Sequence, residues 1–141
     1  MSTINVKSLI LTIVAVFVAM SVTDFLIHGL WMRPVYAATA SLWRPDMDNN
    51  PYMAWLHVGH VLASVAFSLL WAIGFAANAK ITCGMKYGTT MALFSQAHTF
   101  ISYAVQPLTM EIVWKWLAGG VVQGIILGIV AFLVYRPARQ G

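Results

Sequence analysis

Four long apolar stretches, separated by short segments that contain most of the prolines and charges, dominate the pattern along the chain. They run from about Lys7 to Leu30, Tyr52 to Ala77, Tyr87 to Gln106 and Thr109 to Tyr135. Each is long enough to cross about 30 Å of hydrocarbon as an α-helix, which satisfies its own backbone hydrogen bonds in lipid. The pattern predicts an all-α membrane protein, with four transmembrane helices in an antiparallel up-down-up-down bundle that forms a single domain over residues 1–141.

The composition supports a lipid environment for most of the chain. Of the 141 residues, 60% are hydrophobic and 9% are charged, whereas ordinary soluble domains carry about 25% charged residues. The net charge of +4 comes from scattered Lys and Arg, without the basic run that nucleic-acid binding requires. The expected partner is therefore the lipid bilayer, and no nucleic acid. The single cysteine excludes an internal disulfide.

The distribution of Lys and Arg between the two sides of the membrane predicts the orientation of the chain. The side that holds both termini carries five of these residues, namely Lys7, Lys80, Lys86, Arg136 and Arg139. The other side carries three, namely Arg33, Arg44 and Lys115, diluted by Asp46, Asp48 and Glu111. This bias predicts both termini in the cytoplasm, in the inner membrane of the cell. The link at residues 31–51 then lies outside, and its segment from Val35 to Trp43 is expected to form a short interfacial helix.

Polar residues recur on one face of each of the first three helices, at the three- and four-residue spacing of a helical stripe. The stripes consist of Ser21, Asp24, His28 and Trp31; of His57, His60, Ser64 and Ser68; and of Ser95, His98, Ser102 and Gln106. Ionisable groups within a membrane normally face the bundle interior. All four histidines of the chain are on these stripes, so we expect them to point inward.

The ionisable residues also coincide in depth. With a rise of about 1.5 Å per residue, Asp24, His28, His57 and His60 lie within about two helical turns of one another in the outer half of the bundle. His98 comes close to the midplane. The sequence therefore predicts a polar cluster in the outer half.

A transition-metal site is the most specific interpretation of this cluster. Imidazole and carboxylate groups suit Zn, Cu or Fe, and His57 with His60 offers two nitrogens from one helical face. His28 supplies a third ligand, while Asp24 either ligates the metal or accepts the ring N–H of His28.

A haem b site is an alternative, with the chain as a redox subunit of a membrane electron-transfer complex. It needs two axial histidines from different helices, which His60 with His98, or His28 with His57, could provide. Glu111, at the start of the fourth helix, would lie near such a site.

A pathway for protons or small solutes is the third possibility, because Asp24, the histidines and Gln106 could form a hydrogen-bonded chain. Below the midplane the sequence offers Gln96, Ser68, Thr12 and Gln123 but no ionisable relay residue, so one subunit is not expected to complete the path. No complete catalytic motif is present, which favours a small accessory or binding subunit over an enzyme. Its expected partners are other membrane subunits or a second copy, and the small residues Gly120, Gly124 and Gly128 allow close packing within the bundle or between copies.

Overall fold

A computed structural model describes residues 4–45, 50–77 and 79–138 of the chain. Within these ranges the fold is entirely helical and contains no strand. Three of the charged residues in the orientation argument, Asp46, Asp48 and Arg139, lie outside the described residues.

The helices follow the order of the apolar stretches. The first, α1, covers Val6–Asp24 and continues directly into a π-helical segment at Phe25–Trp31. The link contains the short helix α2, Arg33–Ala38, and a 3₁₀ turn, Ala40–Leu42. The remaining helices are α3, Met53–Gly74; α4, Ile81–Val105; and α5, Met110–Val134. The helix expected within the link is therefore present.

In the described parts of the chain, three helical stretches are long and apolar enough to cross a membrane, namely Val6–Trp31, Met53–Gly74 and Met110–Val134. Helix α4 has 25 residues, so its length suffices, but it is more polar. It includes Lys86, Gln96 and the stripe that contains Ser95 and His98. The structure thus supports a membrane protein with three apolar spans among the four that the sequence predicts.

Local sequence signals explain where these helices begin. The side chain of Asn5 caps α1 by accepting a hydrogen bond from the amide of Ser8 at 3.1 Å, and Thr109 caps α5 by accepting one from Ile112 at 3.4 Å. Such caps satisfy backbone donors that have no partner inside the helix. Helix α4 begins at Ile81, six residues before the stretch read from the sequence.

Packing contacts order the long helices as α3, α1, α5 and α4, with neighbours antiparallel. Helix α1 contacts α3 on one side and α5 on the other, and α4 packs along α5. We call the end near Trp31 and Met53 the link end, and the end near Val6 and Gly74 the terminal end. A contact between α3 and α4 occurs at the terminal end, where Tyr87 Oη donates a hydrogen bond to the carbonyl of Phe67 at 2.5 Å.

Four glycines set the close approach of α4 to α5. A Cβ atom at Gly88 would overlap the carbonyl oxygen of Gly124, and one at Gly128 would overlap that of Gly84. A Cβ at Gly124 would also come within 2.5 Å of the Cβ of Ala92. Gly124 and Gly128 therefore pack between two helices of the same chain, which is the first of the two packing alternatives that the sequence left open.

The apolar core occupies the terminal half of the molecule. Its buried residues include Val16, Phe67, Trp71, Leu127 and Tyr135. A smaller apolar cluster of Met32, Val35 and Ile112 holds α2 against the link end of α5. Between these two clusters lies a layer of polar side chains.

Candidate functional site

The centre of this polar layer is the carboxylate of Asp24, the last residue of α1 before the π-helical segment. Its Oδ2 lies 2.5 Å from Nε2 of His60 on α3, and its Oδ1 accepts a hydrogen bond of 2.6 Å from the amide of Gln123 on α5. The side chains of His60 and Asp24 are 11% and 23% exposed. One carboxylate therefore joins three helices, and we call Asp24, His60 and Gln123 the Asp24 centre.

Gln123 is fixed by more than this one bond. Its Nε2 also lies 2.8 Å from the hydroxyl of Thr23, and the Thr23 hydroxyl itself donates to the carbonyl of Ala19 at 2.8 Å. These contacts hold the amide so that an N–H group faces Asp24. A charged acceptor makes such a hydrogen bond stronger than a neutral one.

The π-helical segment separates His28 from Asp24. A π turn closes i→i+5 hydrogen bonds and holds more residues than an α turn, and the amide of Met32 accordingly donates to the carbonyl of Ile27 at 2.8 Å. His28 is thereby rotated away from the position that a regular helix would give it. One of the two sequence-based alternatives for Asp24 was that it accepts the ring N–H of His28; in the structure its oxygens bond to His60 and Gln123 instead.

His28 instead bonds to the link. Its Nδ1 lies 2.6 Å from Oη of Tyr36 on α2, and the same Oη accepts a hydrogen bond of 2.7 Å from the indole N–H of Trp116. Trp116 can only donate, so the Tyr36 oxygen accepts from it, and the Tyr36 hydroxyl can donate to His28 Nδ1 when a neutral His28 carries its proton on Nε2.

The Tyr36 hydroxyl stays protonated at neutral pH. Burial raises the pKa of Tyr36 above its usual value of 10.0, and this outweighs the opposing effect of the hydrogen bond from Trp116. The hydroxyl therefore keeps its proton throughout the neutral pH range.

A cavity of about 290 Å³ lies beside the Asp24 centre, between the π-helical segment, α4 and α5. Its polar lining includes His28, Ser95, Gln96, His98, Ser102 and Gln123. Gly120 leaves room for the side chain of Gln96, because a Cβ atom at position 120 would overlap the Gln96 amide. Gln123 belongs both to the lining and to the Asp24 centre, so the two are adjacent.

The remaining predicted site residues lie apart from the centre. His57 is exposed on α3, and its ring centroid is 6.2 Å from that of His60 in an edge-on arrangement. Glu111 is paired with Lys115 at 2.7 Å on the exposed link end of α5. His98 contributes to the cavity and is exposed.

The four predicted metal ligands are not gathered around one point. In the described parts of the chain, no three His, Cys, Asp or Glu side chains form a group that could hold a metal ion. Asp24 and His60 are in contact, but the two other members, His28 and His57, have different surroundings. The metal and haem b sites stay predictions of the sequence, without support from this geometry.

Tyr36 and Trp116 are polar members of the site that sequence reasoning missed. The link carried no signal that it folds back onto the π-helical segment, and Trp116 resembled an interfacial anchor. The glycines of α4 were also missed, although Gly84 and Gly88 have the same four-residue spacing as those of α5.

Comparison with protein-family models, with characterised proteins and with solved structures finds no significant match. The function is therefore inferred from the geometry of this chain alone.

Proposed function

We propose that this chain is a small integral membrane protein whose Asp24 centre binds and releases protons, as a component of a proton or small-solute pathway. The observation that carries the proposal is the 2.5 Å contact between Asp24 Oδ2 and His60 Nε2, two groups on neighbouring apolar helices. Ionisable groups inside a membrane are costly and typically serve proton relays or ion paths.

The chemistry of the pair suits proton exchange. Histidine is the side chain whose ordinary pKa, about 6.5, allows it to gain or lose a proton near neutral pH. A carboxylate at hydrogen-bond distance can take the Nε2 proton or return it, so the proton is shared between two sites. The amide of Gln123 donates to Asp24 Oδ1 at 2.6 Å, so the carboxylate is held in place while Oδ2 exchanges a proton with His60.

The adjacent cavity supplies an access route to the centre. Its volume of about 290 Å³ is large enough for several water molecules, and its lining of hydroxyl, amide and imidazole groups can bond to them. Gln123 adjoins both the cavity and Asp24. A proton released by Asp24 therefore has polar groups and water within reach.

The proposal includes the four-span bundle and the orientation read from the sequence. The glycine contacts pack α4 closely against the apolar helix α5, which favours α4 crossing the membrane beside it. The polar residues Ser95, Gln96 and His98 of α4 then line the cavity. The five-to-three distribution of Lys and Arg favours both termini in the cytoplasm. A small protein of this kind would act beside other membrane subunits.

Proton flux into liposomes that contain the purified protein tests the proposal. We expect a proton gradient to dissipate through the wild type, and we expect Asp24→Asn and His60→Gln to slow the flux by about tenfold or more. His57→Gln is the matched control, because it removes an exposed imidazole one turn from His60 and should leave the flux unchanged. Wild-type flux equal to that of empty liposomes, or flux that survives Asp24→Asn, would overturn the proposal.

A further inference from the structure

One face of α3 carries a row of buried polar atoms that have no hydrogen-bond partner within the described chain. They are Nδ1 of His60, Oγ of Ser64, Oγ of Ser68 and Nε1 of Trp71. The residues follow one another at spacings of four, four and three, which places them on one face of the helix. Ser64 and Ser68 are both 0% exposed. We call these four residues the α3 polar row.

Other hydroxyls in the chain behave differently. Thr12 and Ser21 donate to carbonyls four residues earlier, at 2.8 and 2.9 Å, and Thr89 and Thr90 do the same on α4. Such a bond is the usual way for a hydroxyl in a helix to be satisfied without a partner from outside. Ser64 and Ser68 make no such bond, so their hydroxyls remain available to a partner that is not part of the chain.

The α3 polar row connects two polar regions of the molecule. Its first member, His60, belongs to the Asp24 centre, and Gln123 of that centre lines the cavity near the link end. Its last member, Trp71, lines a second cavity of about 220 Å³ at the terminal end, together with Tyr135 and Arg136. Eleven residues of helix span about 16 Å, which covers the part of the membrane for which the sequence offered no ionisable relay residue.

We propose that water molecules occupy the α3 polar row and carry protons between the Asp24 centre and the cavity at the terminal end. Buried polar groups are nearly always satisfied by protein or by ordered water, and water can both donate to and accept from an isolated hydroxyl. Each serine hydroxyl both donates and accepts, so it can pass a proton from one neighbouring water to the next. Trp71 only donates, and it therefore orients the last water without transferring a proton itself. This inference rests on the proposed function of the Asp24 centre.

One transfer through His60 leaves the number of protons in the Asp24 centre unchanged. A proton from the nearest water adds to Nδ1, the Nε2 proton passes to Asp24, and Asp24 releases a proton to water in the cavity. One proton enters and one leaves, and no bond other than N–H and O–H bonds changes. The ring is then left with its proton on Nδ1. Exchange with water, in which Nδ1 releases one proton and Nε2 gains one, restores the starting tautomer without a net change in protons.

The double variant Ser64→Ala/Ser68→Ala tests the inference, because it removes both hydroxyls with little change in volume. In proteoliposomes we expect its proton flux to fall by about tenfold or more, while Ser68→Thr, which keeps a hydroxyl, retains most of the flux. Thr12→Ala is the matched control, since it removes an equally buried hydroxyl that is already bonded to its own helix. Its flux should stay within about twofold of the wild type, well below the change that loss of a relay group produces.

The outcomes separate this inference from the proposed function. If Asp24→Asn abolishes the flux and the double variant conducts like the wild type, protons leave the centre by another route and the α3 polar row is not the path. If Asp24→Asn also conducts like the wild type, both proposals fail. Equal loss of flux in the double variant and in Thr12→Ala would indicate a general packing effect and would also overturn the inference.

Discussion

Asp24 Oδ2 lies 2.5 Å from His60 Nε2 and thereby bonds the first apolar helix to α3 in the middle of the polar layer. The ring of Phe17 packs edge-on to His60, with centroids 6.3 Å apart, so apolar groups adjoin the pair on the α1 side. In such surroundings, removal of one side chain of the pair leaves the other as a buried polar group without its hydrogen-bond partner. The stability of the fold and the proposed exchange of protons therefore depend on the same contact.

A double-mutant cycle on this pair should reveal strong coupling. Asp24→Asn and His60→Gln are each expected to lower the free energy of unfolding by about 3 kcal/mol, because each leaves the other side chain of the pair buried without its original partner. The double variant should be less destabilised than the sum of the two, by about 1–3 kcal/mol. Thermal or denaturant unfolding in detergent measures the cycle, and additive effects would show that the two side chains do not interact.

The glycines between α4 and α5 should tolerate no side chain. Gly88→Ala and Gly124→Ala each force a methyl group into the facing helix, and overpacking of this kind typically destabilises by about 1–3 kcal/mol. Gly59→Ala is the matched control on α3, because nothing lies within 4 Å of a Cβ there and alanine favours the helix by about 1 kcal/mol. A loss of stability in Gly59→Ala equal to that in Gly88→Ala would contradict the described helix contact.

Tyr36 should remain protonated at a pH at which ordinary tyrosines ionise. Burial raises its pKa above 10.0, so the neutral form is favoured in the folded state. The stability that this group contributes is complete below about pH 10 and is lost as the pH rises through the raised value. The pKa of Tyr36 can be measured from the absorbance of tyrosinate against pH, as the difference between the wild type and Tyr36→Phe. A Tyr36 component that titrates at 10.0 or lower would refute the prediction.

The proposed topology makes a prediction for the only cysteine. Cys83 is in the first turn of α4 near the terminal end, so it should be on the cytoplasmic side. A membrane-impermeant maleimide is expected to label Cys83 only after the membrane is opened. Ser41→Cys in a Cys83→Ser background should react in intact cells, because the link would lie outside. The reverse pattern would place the termini outside.

The periodicity of the sequence was sufficient to predict the long helices and part of the candidate site. The stripes on the first two apolar helices, with their common depth, gave the expectation that Asp24 and His60 approach each other, and the structure brings them into contact. Here the relevant information was local, since spacing along a helix determines which side chains share a face.

The partner of His28 could not be predicted in this way. It depends on a π-helical segment and on a link that folds back to bring Tyr36 within 2.6 Å, and neither follows from a regular helical repeat. The unbonded hydroxyls of Ser64 and Ser68 are also a property of packing. Their spacing was visible in the sequence, but their lack of a partner was not.

Infrared difference spectroscopy of the Asp24 carboxyl group, recorded in the purified protein as protons are taken up and released, is the most direct test of the central claim. We expect a carboxyl signal that disappears in Asp24→Asn and that changes in His60→Gln but not in His57→Gln, because His60 Nε2 is the imidazole nitrogen in contact with Asp24. A difference spectrum without an Asp24 signal, or with one that ignores the His60→Gln substitution, would contradict the account.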